Sequence, residues 1–275
     1  MLPRQRIVQM RGRMQCHAGG RCAHDDIPVR GPERMSDSLS ISNCAKVARG
    51  LFPAEISVAA TDPRREYEGL MAEEVKAIVR ATPRRRREFV AGRVAARHAM
   101  SALGYGHNSV PSGSDRAPVW PPGLVGSISH TGSVCMSVVA RSSTASAIGI
   151  DVETDEPLSQ DLWDTVLTSS DQSMLRSFPR ADRGRIAKII FSAKECVYKC
   201  QYPISKKLFG FDMLNITLDM EGYRFWATLN DDVAPFSRGT SFAGNFALTD
   251  NVVITGMTLA PLAEARTAKN TMIYV

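Results

Sequence analysis

No run of apolar residues in this chain approaches the ~20 needed to cross a bilayer. The first thirty residues are basic but lack the apolar middle of a signal peptide. Aromatics are scarce, at 7% of residues, which is too few to interleave with a basic track as base-stacking platforms. Excess positive charge is also scarce outside one segment. Residues 1–35 hold seven arginines against Asp25, Asp26 and Glu33, so four of the six net positive charges lie there. The remainder is near neutral, which argues against a general nucleic-acid binder and against a metal-dependent nuclease. Six cysteines (Cys16, Cys22, Cys44, Cys135, Cys196 and Cys200) have no repeated spacing and give no disulfide framework. A reduced, cytoplasmic protein is the expectation. Cys16-His17 and Cys22-x-His24 could be drawn as a zinc site, but no strand or helix pattern surrounds them.

What is present is an apolar fraction of 44% in 275 residues, enough for one large domain or two ordinary ones. The pattern divides the chain into a basic arm (1–38), an N-terminal lobe (39–145), a C-terminal lobe (146–262) and a tail (263–275). Helical spacing predicts a short helix over 73–80 and a long one over 84–103, with Pro83 at its start and Gly104 at its end. Strands are expected at 124–129, 134–141 and 148–153. Ser169 with Gln172 resembles a capping box, and a second long helix follows over 182–200. Two hairpins close the chain, 213–229 about Glu221-Gly222 and 242–259 about Asp250-Asn251. Each half thus holds one long helix and about three strands, which predicts an α+β protein of two related lobes with a cleft between them.

The most informative segment is Gly149-Ile150-Asp151-Val152-Glu153. In a strand, Asp151 and Glu153 share one face and Ile150 and Val152 the other. Two carboxylates at that spacing repel unless a cation or proton lies between them. All-oxygen ligands suit Mg2+, which shares its shell with substrate phosphates. Lys194-Glu195-x-x-x-Lys199 adds a third carboxylate and two ammonium groups. On its own that motif is no more than a surface pair worth a few tenths of a kcal/mol. Arg84 to Arg87 open a helix, where the macrodipole disfavours cations, and Arg93 follows. Phosphate binding explains arginines there, because guanidinium matches phosphate oxygens bidentately. Gly126-Ser127-Ile128-Ser129-His130 ends a strand with hydroxyls and an imidazole.

With these residues in view, the chain resembles the 4'-phosphopantetheinyl transferases, and within them the enterobactin synthetase component D-like branch. The resemblance covers roughly Leu51 to Leu259. It rests on Arg85-Arg86-Arg87-Glu88-Phe89 with Gly92-Arg93, Arg116-Ala-Pro-Val-Trp120-Pro121 and Gly126-Ser-Ile-Ser-His130. It continues through Gly149-Ile-Asp-Val-Glu153, Phe191-Ser-Ala-Lys194-Glu195-Cys-Val-Tyr198-Lys199 and Leu208-Phe209-Gly210-Phe211. It implies two similar lobes in a pseudo-twofold arrangement, each a long helix on a small, mostly antiparallel sheet, with the active site between them. It implies coenzyme A as donor, Mg2+ as metal, and a serine of an acyl or peptidyl carrier protein as acceptor. A monomer is expected, because both halves of the cleft lie in one chain. Asp151, Glu153 and Glu195 would hold the metal. Glu195 would be ligand, base or both, Lys199 and Lys194 would face the phosphates, and Ser129, His130, Arg85, Arg93 and Arg116 would complete the anion site. Ser112-Gly113-Ser114 stands where relatives often carry a lysine, so Arg116 would serve in its place. Lys206, Lys207, Leu208 and Phe209 are candidates for carrier contact. A relative that binds coenzyme A without turnover is the alternative.

Overall fold

The computed structural model describes residues 35–249 and 251–261. The basic arm through Arg34, its cysteine and histidine pairs, Asp250 and the tail lie outside the described residues. The first element among the described residues is helix α1 (Met35–Arg49), which begins ahead of the boundary expected at residue 39. Strand β1 (Ser57–Thr61) follows, then the short helix α2 (Ala72–Val75), which runs into a 3-10 turn over Lys76–Ile78. Helix α3 (Pro83–Ala102) starts on Thr82, whose hydroxyl accepts from the Arg85 amide, with Pro83 just inside it. Gly104 takes a left-handed backbone beyond its end.

Strands β2 (Leu124–His130), β3 (Cys135–Arg141) and β1 make an antiparallel sheet in the order β1-β3-β2. Strand β4 (Ala147–Thr154) opens a second antiparallel sheet, completed by β5 (Leu214–Asp219), β6 (Arg224–Leu229), β7 (Ser241–Thr249) and β8 (Val252–Leu259), in the order β4-β8-β7-β6-β5. Between β4 and β5 lie α4 (Trp163–Val166), α5 (Ser169–Arg176) and the long helix α6 (Arg183–Ser205). The cap of α5 is one residue earlier than expected. Thr168 accepts from the Asp171 amide and Asp171 answers to the Thr168 amide, so the box is Thr168 with Asp171.

Helix α3 packs on the first sheet through Ala96, Ala99 and Met100 against Leu124 and Val139. Helix α6 packs on the second sheet through Ile189, Ile190, Phe191, Ala193 and Val197. A third core lies between the sheets. Met136, Val138 and Ala140 meet Ile148, Ile150 and Val152 there, with Cys44, Ala48, Leu51 and Phe52 of α1 and the turn after it closing one side. The strand alternation of β4 is therefore as the sequence indicated. Its apolar residues fill this inner core, and Gly149 and Asp151 face α6. At Gly149 the helix comes so close that an added Cβ would stand 2.2 Å from the Cys196 carbonyl oxygen.

Candidate active site

β2 and β4 run side by side at the junction of the two sheets. Two serines of β2 bridge them. Ser127 Oγ accepts from the Ile150 amide at 3.3 Å and Ser129 Oγ from the Val152 amide at 3.2 Å. Alternation along β2 puts both hydroxyls on the same side, which is why the Ser-x-Ser spacing works here.

Ser129 also serves the charged group. Its hydroxyl donates to Asp151 Oδ1 at 2.8 Å and accepts from the Lys199 ammonium at 3.0 Å. Lys199 Nζ lies 2.5 Å from the same carboxylate oxygen. Ser192, one helical turn before Glu195, donates to Asp151 Oδ2 at 2.9 Å and exchanges hydrogen bonding with Thr255. Asp151 is fully buried, and Glu153 and Glu195 are buried as well. A buried carboxylate is stable only when its lone pairs are answered, and Asp151 has two hydroxyls and an ammonium.

The next residue of β2 carries the second group. His130 Nε2 stands 2.5 Å from Arg85 Nη1. A guanidinium only donates, so Nε2 is the acceptor and the ring proton belongs on Nδ1, which faces Glu88 Oε2 at 3.7 Å. Arg84 bonds Glu88 Oε1 at 3.0 Å. Arg84, Arg87 and Glu88 then line a cavity with Pro63, Arg64, Glu66 and Gly132. Further along α3, Arg93 is buried over the Phe89 ring, 4.1 Å from its centroid. One of its terminal nitrogens donates to Ser112 Oγ at 3.2 Å. Its pKa is pushed down to about 10, by burial first, which the Glu74 charge opposes and the Arg85 and Arg97 charges assist. A guanidinium stays charged even so, and a buried one held by a neutral hydroxyl suits an incoming anion.

Three expected groups lie differently from the rest in the structure. Lys194 is not with the other site residues. It is fully buried against Asp171, 2.5 Å away, and donates to the carbonyls of Val166 and Phe211 at 2.8 and 2.9 Å. One residue is a 100° step around a helix, so Lys194 and Glu195 cannot share a direction. Arg116 is exposed on its loop, in a left-handed backbone, with its amide bonded to Gly113. That loop is brought to the site by Arg93 through Ser112 and by Tyr202 of α6, which donates to Asp115 at 2.8 Å. Lastly, among the described residues no three His, Cys, Asp or Glu side chains are gathered closely enough to hold a metal ion. The donor chemistry of Asp151, Glu153 and Glu195 suits a hard cation, but in this arrangement Asp151 is turned to Lys199, Ser129 and Ser192. Sequence reasoning passed over Ser192 and Lys188, which lie on the same stripe of α6 as Glu195 and Lys199. Their helical spacing from Glu195 (three and seven residues back) was the available signal.

The comparisons with known proteins can be set against this geometry. Residues 73–140 match the family model of the 4'-phosphopantetheinyl transferase N-terminal domain, and residues 147–248 that of the 4'-phosphopantetheinyl transferase superfamily. The 4'-phosphopantetheinyl transferase Svp of Streptomyces mobaraensis is 33% identical over 203 residues, covering 73% of this chain and 82% of that relative. The chain belongs to the 4'-phosphopantetheinyl transferase superfamily. The 4'-phosphopantetheinyl transferase PptT of Mycobacterium tuberculosis is 31% identical, covering 69% of this chain and 86% of its own length. Enterobactin synthase component D of Escherichia coli is 36% identical over a shorter stretch, 42% of this chain and 54% of that protein. The protein is thus a phosphopantetheinyl transferase with mixed helix and antiparallel sheet. β2 lies within the first matched region and β4 opens the second. Among the described residues no helix is long and apolar enough to cross a membrane.

Proposed function

We propose that this transferase moves the 4'-phosphopantetheine group of coenzyme A to a serine of an apo acyl or peptidyl carrier protein, releasing adenosine 3',5'-bisphosphate. The observation that carries the reading is the β2 terminus, where Ser129 is tied to Asp151 and Lys199 while His130 is tied to Arg85. The Lys199 ammonium and the Arg85 guanidinium with His130 are thus held at consecutive residues of β2, and cations and imidazole of this kind suit the several phosphates of coenzyme A.

In this reading the carrier serine Oγ attacks the phosphorus that bears pantetheine, and the bond from that phosphorus to the bridging oxygen breaks. The leaving group is the adenosine bisphosphate. Glu195 takes the serine proton, directly or through a water. Lys199 stabilises the charge that gathers on the diphosphate oxygens. Arg85, Arg93, His130 and Ser129 hold the phosphates, with Arg116 joining from its loop. Mg2+ belongs to the proposal on donor chemistry: Asp151, Glu153 and Glu195 would hold it, and it would supply charge neutralisation at the diphosphate. The two sheet-and-helix units would be two similar lobes in pseudo-twofold relation. Lys206 and Lys207, both exposed, with Leu208 at 37% exposure and Phe209, would meet an acidic carrier, where complementary charge speeds encounter. A monomer suffices, since every residue invoked is in one chain.

The test is to incubate the protein with coenzyme A, Mg2+ and apo carrier proteins of both kinds, and to weigh the carriers. The expected result is a carrier heavier by one phosphopantetheine, with adenosine 3',5'-bisphosphate in equal amount. Unchanged mass across several carriers, with coenzyme A still bound, would favour a binding relative without turnover.

A further inference from the structure

The loop from Pro111 to Val119 carries Arg116 and is closed on itself. The Val119 amide donates to the Pro111 carbonyl at 2.8 Å, and the Gly113 amide to the Ala117 carbonyl at 2.9 Å. Asp115 Oδ1 accepts from the Ala117 amide at 2.9 Å. These bonds fix the shape of the loop, but they do not fix where its tip stands against the rest of the protein. Arg116, at that tip, is exposed and has a φ of 66°. A residue with a side chain seldom takes that backbone, and it persists only where the surroundings hold it.

Two hydrogen bonds tie this loop to the long helices. At its base, Arg93 of α3 donates to Ser112 Oγ at 3.2 Å. At its tip, Tyr202 of α6 donates to Asp115 Oδ2 at 2.8 Å. Asp115 thus turns one oxygen into the loop and the other to α6. The Tyr202 ring is itself held. It is 7% exposed and stacks on Tyr198, one turn back, with 5.8 Å between ring centroids. The Lys206 ammonium lies over its face, 5.5 Å from the centroid. Lys199, which grips Asp151, precedes Tyr202 by three residues, so both lie on one side of the helix. α6 therefore holds β4 with one residue and the Arg116 loop with another.

We propose that Tyr202 is a positioning residue for donor binding: through Asp115 it sets the tip of the loop, and with it Arg116, for the phosphates of coenzyme A. A phenol donating to a carboxylate suits this role. The bond is charge-assisted and directional, and the phenol brings no charge of its own to an anion site. The need arises because Ser112 supplies no cation at the base of the loop, so the guanidinium farther out has to be held in place to serve. The proposal rests on the reading that Arg116 meets the donor.

The experiment uses the full chain, unsubstituted and as Tyr202→Phe, Asp115→Ala, the double variant Tyr202→Phe/Asp115→Ala, and Arg116→Ala. Coenzyme A affinity is measured by calorimetry and transfer by carrier mass against time. Trypsin cutting after Arg116 is timed without coenzyme A, relative to cutting elsewhere in the folded region. Tyr202→Phe should weaken coenzyme A binding and raise its KM by about three- to tenfold, with kcat at saturation unchanged. It should also be cut faster after Arg116. Asp115→Ala should do the same, and the double variant should be no worse than Asp115→Ala, because the two residues act through one bond. A ring that only fills space would lower Tm and leave affinity and relative cutting alone. Unchanged affinity or unchanged relative cutting in Tyr202→Phe, or losses that add in the double variant, overturns the proposal. Should Tyr202→Phe fail to fold, Asp115→Ala, on its half-buried loop, decides by the same two readouts. Unchanged coenzyme A affinity in Arg116→Ala would overturn the donor role of Arg116, and the donor part of the proposal with it. The cutting rate in Tyr202→Phe would still decide whether Tyr202 holds the loop.

Discussion

The Lys199 ammonium and Asp151 Oδ1 lie 2.5 Å apart, and both also reach Ser129 Oγ. The helix of one sheet thereby grips the strand junction with the other. The two partners differ in burial, since Asp151 is fully enclosed while 19% of the Lys199 side chain is exposed. Substitutions at the two positions should therefore diverge. Asp151→Ala leaves Lys199 free to turn to solvent, so the fold should survive while transfer is lost. Lys199→Met leaves a buried carboxylate without its ammonium partner, a destabilisation of about 1–3 kcal/mol, and transfer should fall by about a hundredfold or more. Carrier mass against time, with circular-dichroism melts, separates the two effects. Transfer by Asp151→Ala at the unsubstituted rate would show that the carboxylate does not act in the site.

Ser127 and Ser129 make the same bridge to β4 but differ in what else they touch. Ser127→Ala removes the partner of the Ile150 amide and nothing else assigned to the site. It should cost about 1–3 kcal/mol through an unsatisfied buried N–H, with the KM for coenzyme A unchanged. Ser129→Ala loses the Val152 amide partner and also the hydroxyl shared by Asp151 and Lys199. It should lose a similar stability and a further tenfold or more in kcat/KM. Equal kinetics in the two variants would remove Ser129 from the site.

Lys194 lies within the transferase motif yet is placed for folding. Its partner Asp171 caps α5 and also accepts from the Ile216 amide, so the pair ties α5, α6 and β5 together. Lys194→Met strands that carboxylate and should cost about 3–5 kcal/mol. Residual folded protein should bind coenzyme A as before, measured by calorimetry. A coenzyme A affinity lost tenfold with the melting temperature intact would return Lys194 to the phosphate site.

The sequence made the long helices, the hairpins and the faces of β4 legible, because each rests on a local period that the cores merely reinforce. Strand β1 was missed for a physical reason. Ser57-Val-Ala-Ala-Thr61 has no strong alternation, and its place is set by pairing with β3 from afar. The α5 cap shifted because Thr168 and Ser169 are both good caps, and only Asp171 reaching back to the Thr168 amide chooses between them. Within the site, alternation along β4 turns Asp151 toward α6, where Lys199 and Ser192 meet it. Spacing did not separate Lys194 from Glu195, since a motif gives order along the chain while direction around a helix depends on what packs there. Lys188 went unnoticed because a lysine among isoleucines has no motif until β4 is seen opposite.

The acid limit of stability should be set in part by Asp62, just past β1. Its carboxylate accepts from the Arg64 amide at 2.9 Å and from the Arg64 guanidinium at 2.8 and 3.0 Å. Burial alone would raise its pKa, but the Arg64 hydrogen bonds and the charges of Arg64 and Arg65 outweigh it, and the net shift is downward from 3.8. A depressed native pKa means the unfolded chain binds the proton more readily. The stabilisation is therefore complete above the ordinary value and is lost as pH falls through the native one. Arg64 is half exposed, so the effect should not exceed about 1 kcal/mol. Asp62→Asn should melt below the unsubstituted protein near neutrality, and the gap should close as the pH is taken below about 4. Melts of both proteins across that range decide it, and a gap that stays constant into acid would mean that the Asp62 carboxylate is not held charged by Arg64.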